Sequence, residues 1–418
     1  MKDCLILKQQ LTNDRRSFNL LMAINLLYVA LVLLWDPLQR AFLNIDGAGR
    51  FVVLLTFLVV ALNVSCDRRF LTRYALSSPV VFWGLWVVYS TFNQVVEGYY
   101  GDISFFMYVM HHLVKPFVVM VLTIKETRRD YIRVTKLLTL VFLVYALISS
   151  VFLAESYQRF EGRTLGELGN LGPLNTLYIL FFSSLLFIRR RMSLKVILAL
   201  AIIVFVIIIS SVTRKAFAGA AIIIAFLVLS QLKLTLPRVA AFALVMIALL
   251  GGLNYSLDKT LLGQRFEQGI EVGKDRNTTG IKMLNFLGDR ATSYEMGWSL
   301  LKDNMINGIG LKNYYYKGHG SFVLHSEYLV QLVEGGIIGT LLFVFFHFWI
   351  VKRLWRMCIS KSSREVGLIL SGGYLATLFI GLTAWTYQFP FYFAVLGVII
   401  GYIKIHLSVG SATRSSHG

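Results

Sequence analysis

Charge is scarce in this sequence. Only 15% of its 418 residues are Asp, Glu, Lys or Arg, against about 25% in soluble domains. Proline is limited to 6 residues, which excludes a collagen-like or proline-rich disordered chain. The 3 cysteines are too few for a disulfide scaffold. No internal repeat or low-complexity run is visible, which argues against transporter folds assembled from inverted repeats. What is abundant is apolar: 56% hydrophobic residues, with 31 Phe, 20 Tyr and 7 Trp. An ordinary soluble enzyme does not use that much apolar side chain, so the solvent this composition fits is a bilayer.

Twelve apolar stretches approach the roughly 17–25 residues that a helix needs to cross a hydrocarbon core. They run Phe18–Trp35, Phe51–Ser65, Pro79–Val96, Ile103–Ile124, Leu137–Ala154, Pro173–Ile188, Val196–Ser211, Ala216–Leu232, Val239–Leu253, Ser326–Val351, Val366–Trp385 and Phe389–Ile403. The expected fold class is therefore all-α: a polytopic membrane protein of about 12 transmembrane helices, read as a single integral membrane domain over 1–418. The first stretch is full length and no small-residue cleavage site follows it, so it is expected to stay as a span.

The net charge of +19 would suggest nucleic acid in a soluble protein, but in a membrane protein position matters more than sum. Sorted by alternate connections, 25 of the 41 basic residues fall on one side. The other side has six in short loops and nine in the long loop 254–325, and Lys115 lies inside the fourth stretch. The positive-inside rule then predicts cytoplasmic termini and a periplasmic loop at 254–325, with Cys4, Cys66 and Cys358 all cytoplasmic.

A connection of that length is commonly functional. Within it, Ala291, Tyr294, Trp298 and Leu301 recur at helical spacing behind a possible Asp289 cap, which predicts a short amphipathic helix with Trp298 as an interfacial anchor. Asn307-Gly-Ile-Gly310, the tyrosine-rich Tyr314-Tyr-Tyr-Lys-Gly-His-Gly320 and Ser321-Phe-Val-Leu-His325-Ser326 follow. His325 is thus expected at the outer mouth of the tenth span. Gly335 and Gly339 in that span predict a small-residue face for close helix approach.

The pattern His325-Ser326, nine residues, Gly336, two residues, Gly339-Thr340, preceded by Arg290, Trp298 and Gly308-Ile-Gly310, resembles the O-antigen ligase and O-antigen polymerase superfamily. Gly162-Arg163 before Pro173-Leu-Asn175, and Ser210-Ser-Val-Thr-Arg214, are similar to its other recurrent segments. The form of the His325 motif leans toward the ligase. The resemblance implies an inverting glycosyltransferase. It would move O-antigen glycan from undecaprenyl diphosphate to a sugar hydroxyl of lipid A-core on the periplasmic face of the bacterial inner membrane. Its partners would be that donor, that acceptor and membrane lipids, with no nucleic acid.

The residue types suit that chemistry. A sugar hydroxyl is a poor nucleophile and needs a base, and histidine titrates near neutral pH, which makes His325 the candidate. A lipid diphosphate leaves as a stable anion, so fixed cations matter more than a general acid. Arg163, Arg214 and Arg290 are the main candidates, with Lys215, Arg159 and Arg265 behind them. No paired acidic motif stands in the outer loops, so the expected reaction needs neither metal nor cofactor. Each assignment has a structural alternative: His325 as a helix cap, Arg214 and Lys215 as headgroup anchors, Arg290 as a solvated helix residue.

Lys115 lies about 18 Å along the fourth span, where an ionisable group needs a partner, a cavity or a ligand phosphate. Spacing places His112 on its face and turns His111 away. Glu334 lies about 13 Å along the tenth span from His325 and is expected to pair with a basic residue elsewhere. Tyr314–Tyr316, Trp385, Tyr387, Phe389 and Phe391 read best as interfacial aromatics, and His347 has no motif around it. Three further readings compete with ligation: polymerisation of repeat units on the carrier lipid, glycosylation of a protein by a transferase of the same superfamily, and transport of the lipid-linked glycan using Lys115, His112 and Glu334 as buried sites.

Overall fold

A computed structural model describes residues 19–35, 48–97, 106–107, 109–159, 167–210, 214–231, 290–311, 313–314, 324, 326–382 and 389–415. Among these residues the fold is all-α, with no strand. The helices are α1 (Asn19–Trp35), α2 (Ala48–Cys66), α3 (Val80–Val96), α4 (Lys115–Arg159), α5 (Glu167–Ile188), α6 (Leu194–Ser210) and α7 (Arg214–Gln231). Then come α8 (Arg290–Asp303), α9 (Glu327–Ile359), α10 (Arg364–Gly381) and α11 (Pro390–Ser415). Short π-helical turns at Leu71–Ala75 and Met110–Val114 precede α3 and α4. Eleven of the twelve apolar stretches fall on helices; the ninth, Val239–Leu253, lies outside the described residues. By length and composition Met110–Ser150 and Glu327–Ile359 suffice to cross a membrane, and seven other apolar helices are shorter.

Both long helices are folded back on themselves. In α4 the break is Asp130 (φ −151°, ψ 83°), whose carboxylate accepts the Arg133 amide at 3.0 Å and so caps the helix that restarts there. The direction of each arm can be read against α11. Gly397 and Gly401 lie against Thr123 and Thr127 in turn, so the first arm runs parallel to α11. Tyr131 stacks near Tyr402 at 5.1 Å while Phe142 and Tyr145 meet Phe391 at 5.7 and 4.7 Å, so the second arm runs the other way. The fourth and fifth apolar stretches are therefore two antiparallel helices joined by one non-helical residue. The expected loop Lys125–Lys136 is helical on either side of it.

The other break is Gly336 in α9 (φ 60°, ψ −163°), a region that essentially only glycine occupies. Thr340 Oγ1 donates to Gln331 O at 3.2 Å, and the rings of Tyr328 and Phe343 lie 6.2 Å apart. In one straight helix those pairs would be separated by about 13 and about 22 Å. The first arm, Glu327 to Gly335, thus folds back antiparallel along the second. This corrects the expectation of one continuous tenth span.

Helix α10 is the hub. Its Gly372 and Gly373 leave room for Phe226 of α7 and Phe181 of α5, and Thr377 bonds Tyr178 of α5 at 3.2 Å. Where lipid replaces water outside, such close packing and buried hydrogen bonding hold helices together rather than the hydrophobic effect. Between α1, α2 and α4 the cement is polar. Asn25 donates to Glu126 at 2.6 Å and to Asn63 at 3.1 Å, and Lys125 donates to Asn63 at 2.6 Å. The basic residues sorted to one side in the sequence also converge in space, since Lys404 reaches Ser77 and Arg189 reaches His406 at one end of the bundle.

Candidate functional site

At the opposite end of the bundle, the break in α9 is locked by the loop that follows α8. Ile309 N donates to Val333 O and Gly310 N to Glu334 O, both at 3.0 Å. From the far side of the break, Ile337 N donates to Met305 O at 3.0 Å and Ile338 N to Ile306 O at 3.3 Å. Gly308 (φ 71°) and Gly336 stand face to face in this interlock. A Cβ on Gly336 would overlap Ile306 O and Gly308 N, and one on Gly308 would overlap Glu334 O and Gly336 N. The orphaned carbonyls and amides of a broken helix must find partners somewhere, and here the loop backbone supplies them.

Helix α3 clamps the same junction. Tyr89 Oη reaches Asn307 O at 2.8 Å and Gly335 O at 3.1 Å, Asn93 Nδ2 donates to Asn307 O at 2.6 Å, and Gln94 Nε2 donates to Asn313 Oδ1 at 3.1 Å. Sequence reading missed these three residues. Their signal was an amide pair, Asn93-Gln94, at the end of an otherwise apolar stretch. The small-residue expectation held for Gly339, whose added Cβ would meet Tyr89 at 3.2 Å, but not for Gly335, where an added Cβ would make only ordinary contact with Thr340 N at 3.9 Å. Backbone conformation, at Gly336, is what the segment requires of glycine.

The fold-back decides where the root of the first arm lies. A Cβ on Gly381, at the last turn of α10, would sit 3.5 Å from Glu327 Cβ, and Tyr328 Oη donates to Leu378 O at 2.8 Å. Glu327 is buried and accepts from Gln331 Nε2 at 2.8 Å. His325 itself is outside the described residues, but both its neighbours are placed, and Leu324 is fully buried. Its flanks therefore lie at the inner end of the short arm, beside α10, and not at the mouth of a straight helix. Glu334, expected deep along that helix, stands instead at the interlock, its carbonyl holding Gly310.

The same end of α10 receives α7. Gly219 lies against Ala376 and Ile380 while Phe226 lies against Gly372, so the two helices are antiparallel and the first turn of α7 is level with the end of α10. That turn carries Arg214 and the half-buried Lys215. Arg290 opens α8, whose Gly297 sits against Leu324 and Leu329. Neither α7 nor α8 has an acidic residue in its first turn. Cations at a helix N-terminus run against the macrodipole, and an anion at the exposed amides relieves both. Asn175, two residues from the Leu177 that meets Gly219, is buried with no partner for its Nδ2 among the described residues. Arg163 and Arg265 lie outside the described residues, and of Arg159 only the backbone is placed.

Lys115 is buried, and its Nζ lies 3.3 Å from His111 Nδ1. The expected orientation is corrected: four residues along also share a helical face, and the π-turn at Met110–Val114 shifts the phase just before Lys115. His347, which no motif singles out in the sequence, has partners for both ring nitrogens, Tyr374 Oη at 2.7 Å and Tyr392 Oη at 3.2 Å. Phe391 and Tyr314 are not belt residues. Phe391 packs on Phe142 and Tyr145, and buried Tyr314 points at the Met296 sulfur of α8. Trp298, by contrast, is exposed on α8 as an anchor would be.

Residues 199–344 match the family model for the O-antigen ligase. The match covers about a third of the chain and supports the O-antigen ligase superfamily. The match runs from α6 through α7 and α8 and ends in the second arm of α9, just past the Gly336 break. It takes in Arg214, Lys215, Arg290 and His325, and leaves Lys115 and Arg163 outside. No curated protein matches the chain. The match supports a bacterial membrane protein with ligase- or polymerase-type glycosyltransferase activity in O-antigen biosynthesis, acting on lipid-linked glycan.

Proposed function

We propose that this protein is an O-antigen ligase of the inner membrane, with both termini cytoplasmic, about twelve crossings and its reaction on the periplasmic face. It would transfer glycan from undecaprenyl diphosphate to a sugar hydroxyl of lipid A-core, with inversion at the anomeric carbon. His325 takes the proton of the attacking hydroxyl as the new glycosidic bond forms and the bond to the diphosphate breaks. Arg214 and Arg290, with Lys215, hold the departing diphosphate, and Arg163 and Lys115 extend the donor site. Loop 254–325 carries part of the site, and no metal is needed because the leaving group is stabilised by fixed cations.

The observation that carries this reading is the pair of cation-bearing helix starts, α7 and α8, that belong to the same family match as the His325 segment. Ligase is favoured over polymerase by the form of the His325-Ser326 to Gly339-Thr340 motif. Deleting the gene separates the two: loss of the ligase leaves long polymerised glycan on the carrier lipid, whereas core bearing a single repeat overturns the assignment. Purified protein given lipid-linked glycan and acceptor yields a glycosidic product that His325→Ala abolishes. Undiminished turnover in that variant removes the base.

A further inference from the structure

At the basic end of the bundle, where α4 turns at Asp130, three carboxylates already have cations. Asp67 lies 4.0 Å from Arg73, Glu126 3.8 Å from Arg129 and Asp130 3.5 Å from Arg133. Lys404 of α11 is different. Its largely buried ammonium donates to the Ser77 hydroxyl, which in turn donates to Tyr74 O at 2.9 Å. The charged group closest in effect is another cation, Arg128, whose guanidinium lies 5.6 Å from the centre of the Tyr74 ring. Burial, and then the Arg128 charge, push Lys404 down to about 8, and among the described residues no carboxylate opposes that shift.

A partly buried cation beside a second cation, bonded among the described residues only to a neutral hydroxyl, is unfavourable until an anion joins them. The surroundings say which anion. Leu71 and Leu76 flank the same turn and are 46% and 61% exposed, so apolar surface adjoins the cations. A free inorganic anion has no use for that surface, whereas a lipid has both a phosphate and acyl chains. We propose that Lys404 and Arg128, with Ser77 and Tyr74 at the rim, bind the phosphate of an anionic phospholipid whose acyl chains lie over Leu71 and Leu76.

The test is the thermal unfolding midpoint of the full chain in neutral detergent, titrated with phosphatidylglycerol, phosphatidylcholine or inorganic phosphate. Phosphatidylglycerol is expected to raise the midpoint saturably, by about 3 °C, with little response to the other two. In Lys404→Gln/Arg128→Gln that rise disappears, in Lys404→Arg it persists, and in Arg133→Gln, at the same end but already paired with Asp130, it persists. An undiminished rise in the double variant, or an equal rise with phosphatidylcholine, overturns the proposal. So does a full rise with inorganic phosphate, which would mean a free-anion site. If the double variant does not fold, native mass spectrometry of Lys404→Gln decides: one phosphatidylglycerol fewer than wild type supports the site, and an unchanged number refutes it.

Discussion

Two adjacent glycines should respond in opposite ways to the same small change. At Gly336 the backbone sits at φ 60° and ψ −163°, where a side chain costs about 1–3 kcal/mol. The added Cβ also overlaps Ile306 O and Gly308 N, so the loop must retreat from the break. Retreat endangers four backbone hydrogen bonds of 3.0–3.3 Å, each worth about 1 kcal/mol. Strain and lost bonds together reach roughly 5–7 kcal/mol, and the cheaper response is for the interlock to open locally while the bundle stays folded. If even about 2 kcal/mol of that loss falls on the geometry of the first arm, transfer slows by about 30-fold. At Gly335, in contrast, the nearest atom to an added Cβ is Thr340 N at 3.9 Å, and alanine is the better helix former by about 1 kcal/mol. The assay is glycan transfer by purified Gly336→Ala and Gly335→Ala, normalised to folded protein by circular dichroism. The expected result is a helical but nearly inactive first variant and a second with wild-type turnover. Equal activity in the two would refute the claim that the break at Gly336 is what holds the arm.

Other residues extend the test. Asn93→Ala removes the 2.6 Å bond to Asn307 O and is expected to slow transfer about tenfold, with Asn93→Asp no better because a carboxylate cannot donate to a carbonyl; comparing kcat with KM separates arm placement from donor affinity. Glu126→Ala strips the carboxylate from Lys125 and Arg129 and should lower stability by about 3 kcal/mol, read as a lower thermal midpoint with transfer per folded molecule unchanged. The depressed Lys404 predicts a pH dependence. The unfolded chain binds more protons than the folded one between about pH 8 and the ordinary lysine value, so stability in detergent should rise with pH across that window and stay flat in Lys404→Met. Chelation with EDTA should leave turnover unchanged, and restoration of a lost rate by Mg²⁺ would remove the metal-independent mechanism.

The apolar stretches told where helices are because length and composition decide that locally, and eleven of them coincide with helices. The reversal between the fourth and fifth stretches was expected, and what the sequence did not show is that helix continues to within one residue of it, at Asp130. The reversal at Gly336 was not expected at all. At Gly336 the motif was visible but its meaning was not, since a glycine that packs and a glycine that turns look alike in one dimension. Phe391 was misjudged, and His347 passed over, because burial among Phe142, Tyr145, Tyr374 and Tyr392 is a tertiary fact. The cations that open α7 and α8 could be singled out early because they stand within the motifs of the resemblance and suit a diphosphate leaving group; that each sits at a helix start without an acid in its first turn came only with the structure.

The fold-back of α9 changes what the His325 segment can reach. On a straight span, its flanks would rise away from α10, and the first turn of α7 would meet only the side of a helix. With the arm reversed at Gly336, Glu327 comes against Gly381, and the last turn of α10 stands between the root of the arm and the turn that carries Arg214 and Lys215. A base and a diphosphate clamp must act on opposite sides of one anomeric carbon, so they have to converge from separate elements onto a common floor. In the proposed reaction helix α10 would be that floor, and the interlock of Gly308 with Gly336, clamped by Tyr89 and Asn93, holds the arm against it. The two positive-φ glycines that most define this chain's backbone are thus remote from the proposed chemistry and still set its geometry.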